Sequence, residues 1–217
     1  MKTINEYFDK IYCINLDKRI DRWKNCEEQF NKFNISVQRI SAIDGHPSHI
    51  KVNSPVFKTR AGLVGCGLSH IKIFEDAKKE NFKQILILED DIMFIDNFNE
   101  KFSNIINQIP DNWDMIYLSG NNDAKRNILI KISDNIYKTN YTLSTHSYAI
   151  KSYMYDILTN VINKWNRPLD RSFAEEIHPI FNCYVIKPYL CWQKEGYSDI
   201  MKKYTDYKCT KKLNDNS

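Results

Sequence analysis

Three consecutive carboxylates, Glu89, Asp90 and Asp91, follow directly on the apolar run QILIL at residues 84–88. Two like charges about 4 Å apart repel by about 4 kcal/mol at an effective dielectric near 20. Carboxylates that converge therefore need a cation or must take up a proton. Oxygen-only ligands suit Mg²⁺ or Mn²⁺. Such an ion, completed by phosphate oxygens, is a common means of holding a nucleotide diphosphate. As a Lewis acid it also stabilises the charge left on a departing diphosphate. The opposing reading is a charged loop feeding a helix after Asp96, which explains one acidic residue and leaves two without a reason.

Near the start of the chain Asp17 and Asp21 lie four apart, as do Lys18 and Arg22. On a helix such like-charge stacks cost a few tenths of a kcal/mol each. Arg19 and Arg22 are candidates for phosphate or ribose, because guanidinium groups make planar, bidentate contacts; a solvated charged surface is the alternative. Gly62, Gly65 and Gly67 give GxxGxG and not the dinucleotide pattern GxGxxG, so close packing of a loop onto a helix is the plainer account. Ser69 and His70 are adjacent and would point about 100° apart on a helix, which excludes a direct nucleophilic pair. His70 either lines a donor pocket or is a satisfied buried histidine.

The elements that must position these groups follow from periodicity. Residues 10–16 (KIYCINL) read as a buried first strand and 17–33 as a helix with Ile20, Trp23, Phe30 and Phe33 towards one side. Residues 36–42 form a second strand closed by the turn pair Asp44-Gly45, and 47–60 read as a loop. A helix is expected from Gly67, with Leu68, Ile71, Phe74 and Ala77 recurring every three residues. The run at 84–88 is the strongest central strand, covered on both faces. It puts the acidic triplet beyond a strand's carboxyl end, where open α/β sheets bind ligands. A helix over 98–109 stops at Pro110; strands follow at 115–118, 127–132, 136–139 and 145–150. Met154, Ile157, Leu158, Val161, Ile162 and Trp165 mark a helix ended by Pro168, and late strands fall at 183–186 and 189–192. This alternation predicts a single α/β domain over 1–217 with a mixed, mostly parallel central sheet flanked by helices, and fraying from about residue 201.

Composition narrows the class. Apolar residues make up 42% and charged residues 27%, ordinary for a globular protein, and six Gly with six Pro exclude collagenous and low-complexity chains. The net charge of +4 is too small to indicate nucleic acid. Basic residues gather at Lys194, Lys202, Lys203, Lys208, Lys211 and Lys212, as a solvated tail or a peripheral membrane contact. No apolar run approaches a membrane span of about 20 residues. Residues 1–10 lack an apolar segment, so no signal peptide is expected and the location reads as cytoplasmic. The six cysteines show no CxxC pair and read as reduced core thiols.

The company the triplet keeps is more specific than the triplet. Residues 12–23 read YCINLDKRIDRW, followed by SAIDG at 41–45, GCGLSH at 65–70, LILEDD at 86–91, DMIYL at 114–118, Gln193, and SDI at 198–200. This order and spacing resemble glycosyltransferase family 25, over about residues 11–200. The resemblance implies a GT-A-like nucleotide-sugar-binding domain, a UDP-sugar donor (galactose or glucose), Mn²⁺ or Mg²⁺, and inversion at the anomeric carbon. It also implies a glycan or hydroxylysine-bearing protein as acceptor. Carried over by position, Asp91, Glu89 and Asp199 would hold the metal; His146, outside the family pattern, could take the place of Asp199. Asn15, Leu16, Arg19, Arg22, Asp44, Gly65, Ser69, His70, Glu89, Asp90 and Gln193 would hold the donor. The chain departs from the family pattern at 145–150, where THSYAI replaces a glycine-bearing strand, and at Arg171, which follows Pro168-Leu169-Asp170 where an acid is usual. Asp170, at the start of a short helix, is the expected catalytic base or else a helix cap; Glu175 and Glu176 are alternates.

Two other classes compete. LILEDD also resembles the acidic pair of receiver-like phosphoacceptor signalling modules, with Asp134 near the phosphoacceptor spacing and Lys187-Pro188 as the late Lys-Pro. That reading leaves the organised first third unexplained. A catalytically inactive, glycan-binding relic of the transferase fold is the other.

Overall fold

Residues 2–52, 54–122 and 126–207 are described, from a computed structural model. In chain order the elements are α1 (Ile4–Tyr7), β1 (Lys10–Asn15), α2 (Ile20–Phe33), β2 (Gln38–Ser41), α3 (Pro55–Thr59), α4 (Gly62–Lys79), β3 (Gln84–Glu89), β4 (Ile92–Phe94), α5 (Phe98–Ile106) and β5 (Met115–Tyr117). They continue with β6 (Ile130–Lys131), β7 (Ile136–Lys138), β8 (Ser147–Lys151), α6 (Met154–Ile162), α7 (Leu169–Glu176), β9 (Cys183–Ile186), β10 (Cys191–Gln193), β11 (Gly196–Ser198) and β12 (Lys203–Thr205).

The main sheet has the order β2-β1-β3-β8-β5-β9-β7-β6. Parallel pairing joins β1 to β2 and β3, and β5 to β9; β8 and β7 run against their neighbours. Six strands thus point one way, as expected for a mixed, mostly parallel sheet.

Side chains alternate across each strand, so every strand feeds both layers. Tyr12, Ile14, Ile85 and Ile87 pack towards α4, α6 and α7. Cys13, Leu86 and Leu88 pack towards α1, α2 and α5. Leu86 and Leu88 are fully buried, each worth roughly 2–3 kcal/mol. A row of tyrosines crosses the first layer in register: Tyr12 pairs with Ile87, Ile87 with Tyr148 and Tyr148 with Tyr117. Each hydroxyl is tied to the helical side: Tyr12 donates to Asp76 at 2.6 Å, Tyr148 meets His70 at 2.7 Å and Tyr117 meets His178 at 2.9 Å.

Several boundaries differ from the sequence expectation. Helix α2 begins only at Ile20, which is 63% exposed, and Cys26 joins Phe30 and Phe33 on its buried face. Residues 55–59, expected in a loop, form α3 with Pro55 in the first turn. Helix α4 starts at Gly62, more than a turn before Gly67. Gly65 allows this: a Cβ there would stand 2.1 Å from the Ile43 carbonyl oxygen. The helix backbone therefore rests on the 43–45 turn. The strand expected at 127–132 shrinks to Ile130–Lys131. The stretch expected to fray is partly ordered: β12 pairs with β11, Tyr197 opposite Tyr204. Lys208, Lys211 and Lys212 lie outside the described residues. The five described cysteines are free, as expected of core thiols. Among the described residues no helix is long and apolar enough to cross a membrane.

Candidate functional site

The carboxyl ends of β1 and β3 open onto a cleft of about 120 Å³. Its floor is the triplet, and α4 forms one wall through Gly62, Cys66, Ser69 and His70. These positions are spaced i, i+4, i+7 and i+8 and so share one helix face. The turn containing Ile43, Asp44 and Gly45, together with Leu16, forms another wall. Ser198, Asp199, Ile200 and Tyr207 close it from the C-terminal hairpin.

The three acids have different surroundings. Period-two alternation continues past Ile87 and turns Glu89 towards α4. There it accepts a hydrogen bond from the Thr145 hydroxyl at 2.9 Å, and its Oε1 lies 3.9 Å from His70 Nε2. Burial, then the charge of Asp91, pushes Glu89 up to about 8. Asp90 accepts from Asn15 Nδ2 at 2.7 Å and from Arg22 Nη1 at 2.6 Å. Asp91 accepts from Gln193 Nε2 at 3.3 Å and stands 3.8 Å from Arg22. Burial pushes Asp91 up to about 6 despite that arginine. Gln193 arrives through the β4–β10 pair, where it faces Ile92, and the Lys194 N–H donates to the Asp91 carbonyl at 2.7 Å.

Among the described residues, the buried carboxylate and amide oxygens that lack a donor are Oδ1 of Asp91 and Oε1 of Gln193. Buried acceptors left unmade cost about 1–3 kcal/mol each. Buried oxygens without donors, on two side chains that touch, are what a hard divalent cation satisfies, so the residues present fit Mg²⁺ or Mn²⁺ at Asp91.

The donor-site residues of the opening motif are held by protein partners. Asn15 is buried; it donates to the Arg19 carbonyl and Asp90, and its Oδ1 accepts from Arg39 at 2.7 and 2.9 Å. Arg22 also donates to the Tyr197 carbonyl at 3.0 Å. Arg19 pairs with Asp21 at 2.9 Å and with Asp199 at 2.5 Å. Asp199 thus lines the cleft with its carboxylate on Arg19. Asp17 and Lys18 precede α2, so the like-charge stacks do not form; Lys18 pairs with Asp44 at 2.5 Å and Arg39 with Asp17 at 2.7 Å. Ser69 donates to the Gly65 carbonyl at 2.7 Å and accepts from the Ile43 N–H at 2.9 Å, clamping the 43–45 turn to α4.

His146 precedes β8; its carbonyl accepts the Glu89 N–H, and both buried ring nitrogens lack partners. Asp170 accepts from the Ser144 N–H at 3.3 Å, and Ser144, at φ 72°, adjoins the Thr145 that holds Glu89. Among the described residues Asp170 has no ion pair, whereas Glu176 pairs with Lys164 at 2.5 Å and Glu175 with Arg167 and Arg171. Tyr207 had no signal in the sequence, because it lies just past the C-terminal hairpin in a stretch without a motif; Ser198 belongs to the SDI motif at 198–200. Burial, then the charges of Asp91 and Glu89, raises the Tyr207 hydroxyl. Asp134, on which the receiver-like reading rested, is exposed in the β6–β7 turn and pairs with Lys131 at 3.3 Å.

A parallel-rich sheet with its acids and arginines at the carboxyl edge defines a GT-A-like glycosyltransferase fold. A solved glycosyltransferase involved in glycosylating the major capsid of PBCV-1 shares it: the TM-score is 0.57 at 12% identity, covering 89% of this chain and 95% of that one. The model of glycosyltransferase family 25 (LPS biosynthesis protein) matches residues 8–173, and the chain belongs to that family. A procollagen lysyl hydroxylase and glycosyltransferase of Acanthamoeba polyphaga mimivirus is 30% identical over 165 residues, 65% of this chain and 18% of that protein. The inactive glycosyltransferase 25 family member 3 of Mus musculus is 27% identical over 132 residues, 51% of this chain and 22% of that protein. The chain therefore spans about a fifth of the length of these curated relatives.

Proposed function

We propose that the chain transfers galactose or glucose from a UDP-sugar to a hydroxyl of a glycan or a hydroxylysine-bearing protein, with inversion and with a divalent metal. The observation that carries this reading is the pair of donorless buried oxygens on Asp91 and Gln193, at the carboxyl edge of the sheet. Asp91 would be the principal metal ligand, with Gln193 beside it and Asp199 able to join on leaving Arg19. The bound ion would supply Lewis-acid stabilisation of the diphosphate. Arg22, held by Asp90 and the Tyr197 carbonyl, sits where a guanidinium can meet phosphate.

In the reaction the acceptor oxygen bonds to the anomeric carbon as the bond from that carbon to phosphate oxygen breaks. UDP departs and the acceptor's proton passes to a base. Asp170 is the proposed base: its carboxylate is engaged only by backbone N–H groups among the contacts described, and it is tied through Ser144 to the loop that holds Glu89. It does not itself line the cleft, so the acceptor would reach it from the 144–145 loop.

The test is a screen of UDP-galactose, UDP-glucose and UDP-N-acetylglucosamine with Mn²⁺ and Mg²⁺, reading UDP release and thermal shift. Metal-dependent release from one of the first two is expected; neither release nor shift with any of them would overturn the proposal. A second reading, a binding-only relic, is favoured by one observation: both arginines of the opening motif are engaged by protein groups. A thermal shift without turnover would select it. Exposed Tyr197, Met201 and Tyr204 beside Lys202 and Lys203 suit an anionic membrane surface. Co-sedimentation with anionic but not neutral vesicles is the expected outcome.

A further inference from the structure

His70 is fully buried, and its Nε2 has no hydrogen-bond partner. The other ring nitrogen meets the Tyr148 hydroxyl at 2.7 Å, which fixes the ring and aims Nε2 at one spot. That spot is bounded by the thiol of Cys66, one turn earlier on α4, and by the carboxylate of Glu89. Nε2 and Glu89 Oε1 are 3.9 Å apart, too far for a hydrogen bond. One ligand atom from each of the three residues lies within 4.8 Å of the others. All three residues line the cleft.

A thiolate, an imidazole and a carboxylate make a ligand set unlike the oxygen-only set at Asp91. It suits Zn²⁺, which is borderline-soft and takes sulfur and nitrogen ligands. The Tyr148 contact is the kind of outer hydrogen bond that metal-bound histidines carry on their second nitrogen. We infer that Cys66, His70 and Glu89 form a second cation site, for a divalent ion of the Zn²⁺ class, with its fourth position open to the cleft. Ligands around a tetrahedral Zn²⁺ stand about 3.5 Å apart, so the three groups must close by about 1 Å. Rotation of the Glu89 carboxylate, giving up or sharing its Thr145 contact, together with rotation of the Cys66 thiol would supply that movement. Glu89 would then belong to the α4 side of the cleft, and an ion there would draw it away from Asp91.

This inference goes beyond the transfer reaction, and its test needs no sugar donor. Co²⁺ is titrated into the metal-free chain as a spectroscopic substitute for Zn²⁺, and Zn²⁺ binding is measured by calorimetry. The expected result is about one equivalent of Co²⁺ with a near-ultraviolet thiolate-to-cobalt band. Cys66→Ala should lose the band, and His70→Gln should weaken Zn²⁺ binding at least tenfold. Asp91→Asn should keep both. Circular dichroism checks that each variant is folded; Cys66→Ser replaces Cys66→Ala if the latter is not. Absence of the band in the wild-type chain would overturn the site, as would its persistence without the Cys66 thiol. A band lost in folded Asp91→Asn would assign the ion to the triplet and overturn a separate site. Failure of the transfer assay alone leaves these outcomes untouched.

Discussion

Asp90 and Asp91 are neighbours in the chain, and their surroundings differ in kind. Asp90 closes a circuit: Asn15 and Arg22 donate to it, Arg39 anchors Asn15, and the Tyr197 carbonyl anchors Arg22. Asp91, one residue on, keeps a buried oxygen with no donor, and its partner Gln193 keeps another. One acid is satisfied by the protein; the other keeps an oxygen that the described residues leave without a partner. A run of like residues at a strand end can thus divide into a part that builds the cleft and a part that serves its ligand, and hydrogen-bond satisfaction tells them apart.

The sharpest way to break this contrast is Asp91→Asn. Transfer should fall by at least about a thousandfold, in line with loss of a metal's charge stabilisation of several kcal/mol. The melting temperature should stay within a few degrees, because Asn removes a buried charge. Full activity of the wild type in excess EDTA would refute the metal role directly. The next largest effect is at Asp170. As the base, Asp170→Asn should lower turnover by about a hundredfold or more with near-normal UDP-sugar affinity. A turnover within a few-fold of wild type would leave Asp170 as a helix-terminal acid only. Asp199→Ala leaves Arg19 on Asp21 and the Tyr197 carbonyl and removes the proposed ligand; the Mn²⁺ concentration for half-maximal rate should rise about tenfold, worth about 1.4 kcal/mol. An unchanged titration removes Asp199 from the shell.

Asp90→Ala tests the satisfied half. It strips Arg22 of its closest partner and Asn15 of an acceptor, and should cost about 2–3 kcal/mol of stability in urea unfolding. A cost no larger than that of Asp91→Ala would erase the distinction. The last effect is a pH slope. His178 is held by Tyr117 and Thr142, and burial pushes it down from 6.5 to about 3. Above about pH 6.5 folded and unfolded chains both carry it neutral; between 6.5 and 3 only the unfolded chain binds the proton. Its contribution is therefore present above 6.5 and is lost as the pH falls through that window, by up to about 1.4 kcal/mol per pH unit. His178→Gln should flatten the fall in urea midpoint between pH 6.5 and 4.

What could be read from the sequence was what local pattern controls. The apolar run at 84–88 placed β3 and with it the triplet. The stripe from Met154 placed α6, and Pro168 placed the start of α7 beside Asp170. What could not be read depends on groups far apart in the chain. Helix α4 begins among glycines that look like a loop, because its backbone contact with Ile43 makes small residues necessary there. The roles of Arg19 and Arg22 depend on Asp199 and Tyr197, and no spacing within 17–22 reveals such partners. The hairpin that brings Tyr207 to the cleft is short and polar, with no apolar period to mark it.

The Tyr197 carbonyl receives both opening arginines, and it lies 178 positions downstream of Arg19. At about 5–20 residues per second, that separation is on the order of 10–40 s of synthesis. In the later part of that interval, once Asp90 has been made, β1, α2 and β3 can pair while the cleft stays uncovered on the hairpin side, with Arg22 already beside Asp90. A nascent chain would thus carry an assembled triplet before it carries a finished pocket. Binding of any nucleotide to ribosome-bound chains should appear only after residues 197–207 have emerged.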